Sequence, residues 1–379
     1  MISLRFVDSC DALPESLWQA CFPPPHEGLW WYRALQDSGL EEQFTFFYGV
    51  IEAADEHGAS RPVGIAPFFL ADVPLDMVVP KELMFLFSIP AKLFPGIAYQ
   101  RTLFIGSPCS DGGWIGLLPG VDRKVALLAV HHAARAEARR RGAPMLAWKD
   151  FPEAEKRNMA WLCEQCGLFA LPSYPNTLVT FKSSEKEGYF AALKGSRRNK
   201  LKKKMKVSAQ HLQAVVDIVQ NPSSAVLDEI FALFWQTYER SDIKFERLNR
   251  RVFELLAVES PVHFILLREQ SSGDLVINKF IGCDYSRPKE WFLYFRLWDA
   301  VVDWSLGRGA SGIQSGQTCY APKIEQGHAL IPLYNYGGHS NPIIHWIYSR
   351  VAKTITWQSL DADLAIYLNA HPEQEIAKP

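Results

Sequence analysis

No run in this sequence approaches the ~18 uninterrupted apolar residues that a membrane-spanning helix requires. The first residues, Met1-Ile2-Ser3-Leu4-Arg5-Phe6-Val7-Asp8, lack the charged-then-apolar pattern of a secretory signal. Net charge is missing too. With 40 Lys and Arg against 41 Asp and Glu, no global field draws the chain to nucleic acid or an anionic membrane, so any such attraction is local. The seven cysteines are scattered and odd in number, which argues against a disulfide framework and for reduced thiols. Cys163 and Cys166 form a lone CxxC without the second pair that a zinc site needs. His131 and His132 are adjacent on a helix, point about 100° apart and cannot chelate one metal. The expectation is a cytoplasmic protein without a metal site.

What is present suits a globular protein. The 379 residues are 48% hydrophobic and 21% charged, enough for a core and comfortable for two domains. The first 182 residues alternate strand-like and helix-like segments. Strands are predicted over 1–10, 44–53, 62–70, 101–106 and 143–149, and helices over 13–21, 26–38, 121–141 and 153–166, with Gly167 as the last helix's stop. Arg135, Arg139, Arg140 and Arg141 crowd one helix end, where cations complement the dipole. Residues 83–98 form an apolar, proline-interrupted segment. It reads either as an insertion packed on the core or as a peripheral loop that touches the inner membrane or lines a lipid-tail tunnel.

A polar linker over 183–188 leads to the densest charge block in the chain: Lys194, Arg197, Arg198, Lys200, Lys202, Lys203, Lys204 and Lys206, with no acid among them. Such a block is either a solvated helix face or an anion site for phosphates. Aromatics are sparse within it, which argues against stacking on single-stranded nucleic acid. A strand over 212–219 and helices over 225–238 and 249–258 follow.

The stretch from Pro261 to Gly338 organises the second half. Apolar runs at 262–267, 275–285 and 291–297, separated by turn residues, predict three antiparallel strands. A helix is then predicted over 299–309, stopped by Gly309, with short strands from Ile313 and over 331–336 and a closing helix over 341–353. Lys279, Asp284, Tyr294 and Arg296 interrupt otherwise apolar strands, and buried charges there are either a paired network or a site. On the third strand Phe292, Tyr294 and Arg296 would share one face, with Trp291, Leu293, Phe295 and Leu297 on the other. Asp284 is the candidate proton acceptor, with Tyr294 and Arg296 orienting substrate or pairing with it. His263, His328 and His339 stand as alternative bases, each also readable as a structural histidine.

Three pieces, Lys279-Phe280-Ile281-Gly282-Cys283-Asp284, Leu293-Tyr294-Phe295-Arg296-Leu297 and Gly316-x-Thr318-x-Tyr320-x-x-Lys323-x-x-x-Gly327, in this order and spacing, resemble the FemAB-like N-acyltransferases of the GNAT superfamily. The resemblance covers about residues 185–350 and, within the branch, looks most like soluble bacterial enzymes that acylate lipid amines, bacterial ceramide synthases among them. It implies an α/β (α+β) fold of tandem GNAT-like domains, each a mixed, largely antiparallel sheet flanked by helices. Their extents would be 1–182, degenerate and supporting, and 183–365, catalytic, followed by a frayed tail over 366–379. It also implies no bound cofactor, acyl-CoA as co-substrate and an amine lipid, such as a sphingoid base, as acceptor. Lys323 falls on the family's active-site lysine and would stabilise charge on the donor, with Tyr320 beside it donating to substrate or leaving group. Lys279 would join the binding residues, and Arg197, Arg198 and Lys200 match the basic helix of these enzymes. One departure leaves the donor open. Ordinary acetyl-CoA-dependent members place a Gly-rich pyrophosphate loop after the third strand, whereas here Leu297-Trp298-Asp299 runs straight into a helix. Acyl-CoA held partly by the basic block is therefore weighed against another carrier. A Fem-type transferase using charged tRNA and a peptidoglycan precursor, and a non-catalytic envelope-lipid binding protein, are the competing readings.

Overall fold

The computed structural model of the chain describes residues 2–23, 26–54, 58–74, 99–110, 112–241, 246–259, 263–269 and 282–372. The apolar segment 83–98 and Lys279 lie outside the described residues. The chain divides into two compact units, Met1–Pro175 with Pro332–Pro379, and Asn176–Ile331.

The first unit is built on an eight-stranded sheet. Its strands are β1 (Ile2–Val7), β2 (Thr45–Ala54), β3 (Ser60–Pro74), β4 (Tyr99–Ile105), β5 (Gly116–Leu117), β6 (Met145–Pro152), β7 (Phe169–Pro172) and a returning strand from late in the chain, Leu333–His339. The order is β1-β2-β3-β4-β6-returning strand-β7, with β5 on β3. Every pairing is antiparallel except β4 with β6. A parallel pair needs a crossover, and the helix α3 (Arg123–Arg140) supplies it. Among the described residues α1 (Glu15–Cys21) and α2 (Leu29–Gln36) precede it, and α4 (Lys156–Cys166) follows it. Asp122 caps α3 by accepting from the amides of Lys124 and Val125, and α4 ends at Gly167 in the left-handed region (φ 66°). Phe47, Ile51, Phe68, Leu103, Ala126, Val130, Trp148 and Phe151 are fully buried between α3 and the sheet. The expected fold class, mixed α/β with a largely antiparallel sheet flanked by helices, is the one observed.

Among the described residues the second unit carries two small sheets. β8 (Asn176–Thr180) lies between β11 (Gly312–Gln314) and β12 (Ala329–Ile331), and β9 (Ala214–Val219) pairs with β10 (Phe264–Glu269), all antiparallel. Its helices are α5 (Lys186–Ala192), α6 (Gly195–His211), α7 (Ser224–Arg240), α8 (Arg250–Ala257), α9 (Leu293–Gly307) and α10 (Tyr320–Glu325). Its core gathers Val179, Tyr189, Leu201, Ile265, Leu297, Trp298, Val301 and Val302.

Four expectations are corrected. Residues 291–297 are not a strand: a 3-10 turn, Lys289–Trp291, leads into α9. Alternating aromatics matched a period of two, but Leu297, Val301 and Ser305, with Trp298, Val302 and Leu306, form a buried stripe at helical spacing that prevails. Of the run 275–285, residues 282–285 are loop and turn, and the rest lies outside the described residues. The segment after Ile331 does not belong to the second unit. Pro332 ends β12, and the returning strand enters the first unit's sheet between β6 and β7, satisfying the backbone of both. The supposed tail begins inside a helix, Ala362–Ala370, anchored by buried Leu364 and Leu368.

Candidate functional site

The segment that joins β11 to β12 carries the lysine singled out in the sequence. Gly316, Thr318 and Cys319 adopt left-handed backbone (φ 62°, 61° and 51°), before α10 begins at Tyr320. Two of these are non-glycine, a conformation that costs about 1–3 kcal/mol each and persists only when its surroundings over-determine it. Lys323 is part of what does so. It is 4% exposed, and its Nζ donates to the carbonyls of Gly316 (3.2 Å) and Gln317 (2.9 Å). The Gly316 carbonyl also accepts from Thr177 Oγ1 (2.8 Å), and the Ser315 amide donates to the Thr177 carbonyl (2.9 Å). Gly327 ends the segment at φ 92°, a backbone conformation that favours glycine.

Next to Lys323 stands a second buried group. His328 Nδ1 lies 2.8 Å from the Lys323 carbonyl and Nε2 2.8 Å from Ser315 Oγ. A carbonyl only accepts, so Nδ1 carries the proton and bare Nε2 receives the Ser315 hydroxyl. Burial pushes this imidazole down to about 3, and the charge of Lys323 adds to that depression, so the ring is neutral at physiological pH. Its face packs on Trp298 (4.7 Å between centroids), whose Nε1 donates to Tyr189 Oη (2.9 Å), which in turn donates to the Gln326 carbonyl (2.8 Å). The Gln326 side-chain amide is fully buried, and neither of its ends has a hydrogen-bond partner among the described residues.

The basic block is helix α6, fixed by buried Leu201 and Ser208. Ser208 Oγ donates to the Trp291 carbonyl (2.6 Å). Lys204 pairs with Glu325 on α10 (2.7 Å) and sits 3.6 Å from the ring centroid of Phe295 on α9. One lysine thus ties together the basic block, the 293–297 piece and the 316–327 piece. Lys194, Lys200, Lys202, Lys203 and Lys206 are exposed, and Arg197 and Arg198 are half-buried. Arg198 reaches the Ala191 carbonyl (3.5 Å).

The remaining candidates fall differently from expectation. Asp284 does not pair with Arg296. Its Oδ1 accepts from the amide and hydroxyl of Ser286 (3.0 and 2.7 Å), and its Oδ2 from Arg287 Nε (3.1 Å), which ties the carboxylate into its own turn. Tyr294 and Arg296 lie two residues apart on a helix, about 200° around its axis, so they do not share a face. Burial raises the Tyr294 phenol well above its usual range, with the thiols of Cys319 and Cys283 contributing, so it stays protonated. Arg296 Nε is buried without a hydrogen-bond partner among the described residues. Tyr320 is fully buried at the start of α10. Gly282 packs on the backbone of Leu233 and Phe234. Among the histidines first weighed, His339 lies in the first unit, and His263 reaches Arg308 (3.2 Å). Ser315, Tyr189, Glu325 and Gln326 were missed, since each acts through a partner distant in sequence.

Among the described residues no group of His, Cys, Asp and Glu could hold a metal ion, and no helix is long and apolar enough to cross a membrane. No family model matches the chain, and no curated protein matches it by sequence. Similar solved structures include L-PGS from Bacillus licheniformis, 10% identical over 84% of this chain and 92% of that one, TM-score 0.49. A tandem GNAT protein from the clavulanic acid biosynthesis pathway is 11% identical over 90% and 99%, TM-score 0.46. The C-terminal domain of a putative lysylphosphatidylglycerol synthetase from Agrobacterium fabrum is 13% identical over 80% and 87%, TM-score 0.45. Likeness of this degree speaks of neither substrate nor chemistry.

Proposed function

We propose that the chain is an N-acyltransferase that moves a fatty acyl group from acyl-CoA onto an amine, with a sphingoid base as acceptor. The observation that carries the reading is the meeting at Lys204 of three separate sequence pieces, the basic helix, the 293–297 piece and the Lys323 segment. The resemblance drawn from those pieces supports it.

In that reaction the amine, once deprotonated, attacks the thioester carbonyl. The C–N bond forms, the C–S bond breaks, and the departing thiolate takes up a proton. Tyr294, whose phenol burial keeps protonated, is the proposed hydrogen-bond donor to the departing sulfur, and the proton released by the amine ends on the thiolate. Lys323 supplies fixed positive charge for the developing oxyanion and holds the segment 316–319 in place. Arg197, Arg198 and Lys200 take the donor's phosphates. Asp284, bound in its turn, is assigned to positioning through Arg287 rather than to proton transfer.

The test is purified protein incubated with a sphingoid base and a panel of acyl-CoAs, with N-acyl product read by mass spectrometry. Product is expected from wild type, reduced at least tenfold in Tyr294→Phe and Lys200→Ala/Arg197→Ala. No amide from any acyl-CoA refutes the reading, and transfer from an aminoacyl-tRNA instead would assign the basic helix to RNA.

A further inference from the structure

The first unit holds a cavity that the proposed reaction does not use. Its volume is about 260 Å³. One wall is a single face of α3, where His131, Arg135 and Arg139 follow at four-residue intervals. The turn that ends α4, the residues leading into β6, the end of the returning strand with His339, and Ser340 and His345 beyond it form the rest. The arginine cluster read from the sequence as a complement to the helix dipole is divided by the structure. Arg140 and Arg141 are held by Glu137 (Nε to carboxylate 2.7 and 2.5 Å), whereas Arg135 and Arg139 line the cavity.

His131 decides what the cavity suits. It is 1% exposed, and neither ring nitrogen has a hydrogen-bond partner among the described residues. Buried polar atoms are nearly always paired, so an orphaned pair of ring nitrogens at a cavity wall marks a place for a ligand. Burial pushes the ring down to about 4, so it is neutral and offers one N–H and one lone pair. His339 Nδ1 accepts from the Asn341 amide (3.0 Å), and His345 Nδ1 from the His339 amide (3.2 Å), which places the N–H of each ring on Nε2. Two guanidinium groups and several imidazoles therefore surround the space, and no carboxylate is in its wall. That lining suits an anion. A carboxylate offers two acceptor oxygens and a single charge, whereas a phosphate monoester offers three acceptor oxygens and close to two charges at neutral pH, which matches two guanidinium groups and a ring N–H. The volume exceeds what a bare ion fills and is near the small end of ligand pockets, roughly 300–1,000 Å³.

We propose that this cavity is a binding site for a phosphate monoester, with Arg135 and Arg139 neutralising the phosphate and His131 completing its hydrogen bonds. The monoester's source is either a soluble phosphorylated metabolite or a lipid headgroup. Glycerol 3-phosphate and inorganic phosphate, titrated calorimetrically into the full chain, test the first. Co-flotation with phosphatidylcholine vesicles with and without phosphatidic acid tests the second. Binding in either arm is expected to weaken about tenfold or more in Arg135→Ala/Arg139→Ala, both exposed positions, with circular dichroism confirming the fold. It should persist in Lys203→Ala/Lys206→Ala on the basic helix. In ¹⁵N-histidine spectra the His131 signals should move on ligand addition. No binding in either arm, binding unchanged in the double arginine variant, or binding lost only in the lysine variant would overturn the proposal.

Discussion

Two buried neutral histidines, one in each unit, make the protein acid-sensitive well above the range where carboxylates titrate. His131 is pushed down to about 4 and His328 to about 3, from an ordinary value of 6.5, chiefly by burial. Because each folded value lies below the unfolded one, the unfolded chain takes up protons first as pH falls. The stability these rings contribute is fully present above about pH 6.5 and is lost from there towards pH 4 for His131 and pH 3 for His328. At pH 5 each unfolded imidazole is protonated and each folded one is not, which costs about 2 kcal/mol per residue relative to pH 7. That is a large share of a stability of roughly 5–15 kcal/mol. The assay is urea unfolding at pH 7 and pH 5 on wild type, His131→Leu and His328→Gln, followed by tryptophan fluorescence. Trp148 stacks near His131 and Trp298 packs on His328, so each unit has a local reporter. Carboxylate contributions are common to all three proteins and cancel in the comparison. Each variant should lose about 2 kcal/mol less than wild type between the two pH values. A variant that loses as much as wild type, or a His131 or His328 resonance that titrates near pH 6.5, would refute the burial argument.

Other outcomes follow from the same contacts. Lys323→Met keeps the apolar stem but removes two charge-assisted donors. It should cost the second unit about 1–3 kcal/mol in urea unfolding and speed amide exchange over 315–319. Gly282→Ala would place a Cβ 2.6 Å from the backbone of Leu233 and Phe234, which cannot rotate aside. A loss of about 1–3 kcal/mol or more is expected, and an unchanged midpoint would disprove the close approach. Lys204→Met removes the ion pair to Glu325 and the ring contact to Phe295, with an expected loss of about 1–2 kcal/mol that Glu325→Gln should partly reproduce. Among the seven thiols, Cys319 is exposed and should react first with a disulfide reagent at pH 8. Cys163 and Cys283, pushed up to about 12 by burial, should react only on unfolding.

What the sequence revealed of the fold depended on whether the determining interactions were local. Helix α3 was legible because Asp122, the apolar stripe and the terminal arginines all lie within it, and α4 because Gly167 is its own stop signal. The Trp291–Leu297 run misled because its aromatics fit both periods, and only the stripe continuing through Val301 and Ser305 chooses between them. The returning strand was recognisable as a strand, but nothing in Leu333–His339 says which sheet receives it, since the edges of β6 and β7 were formed more than 160 residues earlier. The candidate site follows the same rule. Lys323 was found through its neighbours in sequence, yet its buried role rests on two carbonyls of a left-handed turn, a conformation that Thr318 and Cys319 do not advertise. The expected pairing of Asp284 with Arg296 fails for the converse reason. Ser286 and Arg287 stand two and three residues away, close enough to claim the carboxylate before any distant cation can. A charged residue followed this closely by a hydroxyl and a guanidinium is thus a turn first, whereas Glu325, two residues after Lys323, is taken by Lys204 on α6, and Lys323 turns inward to the carbonyls of Gly316 and Gln317.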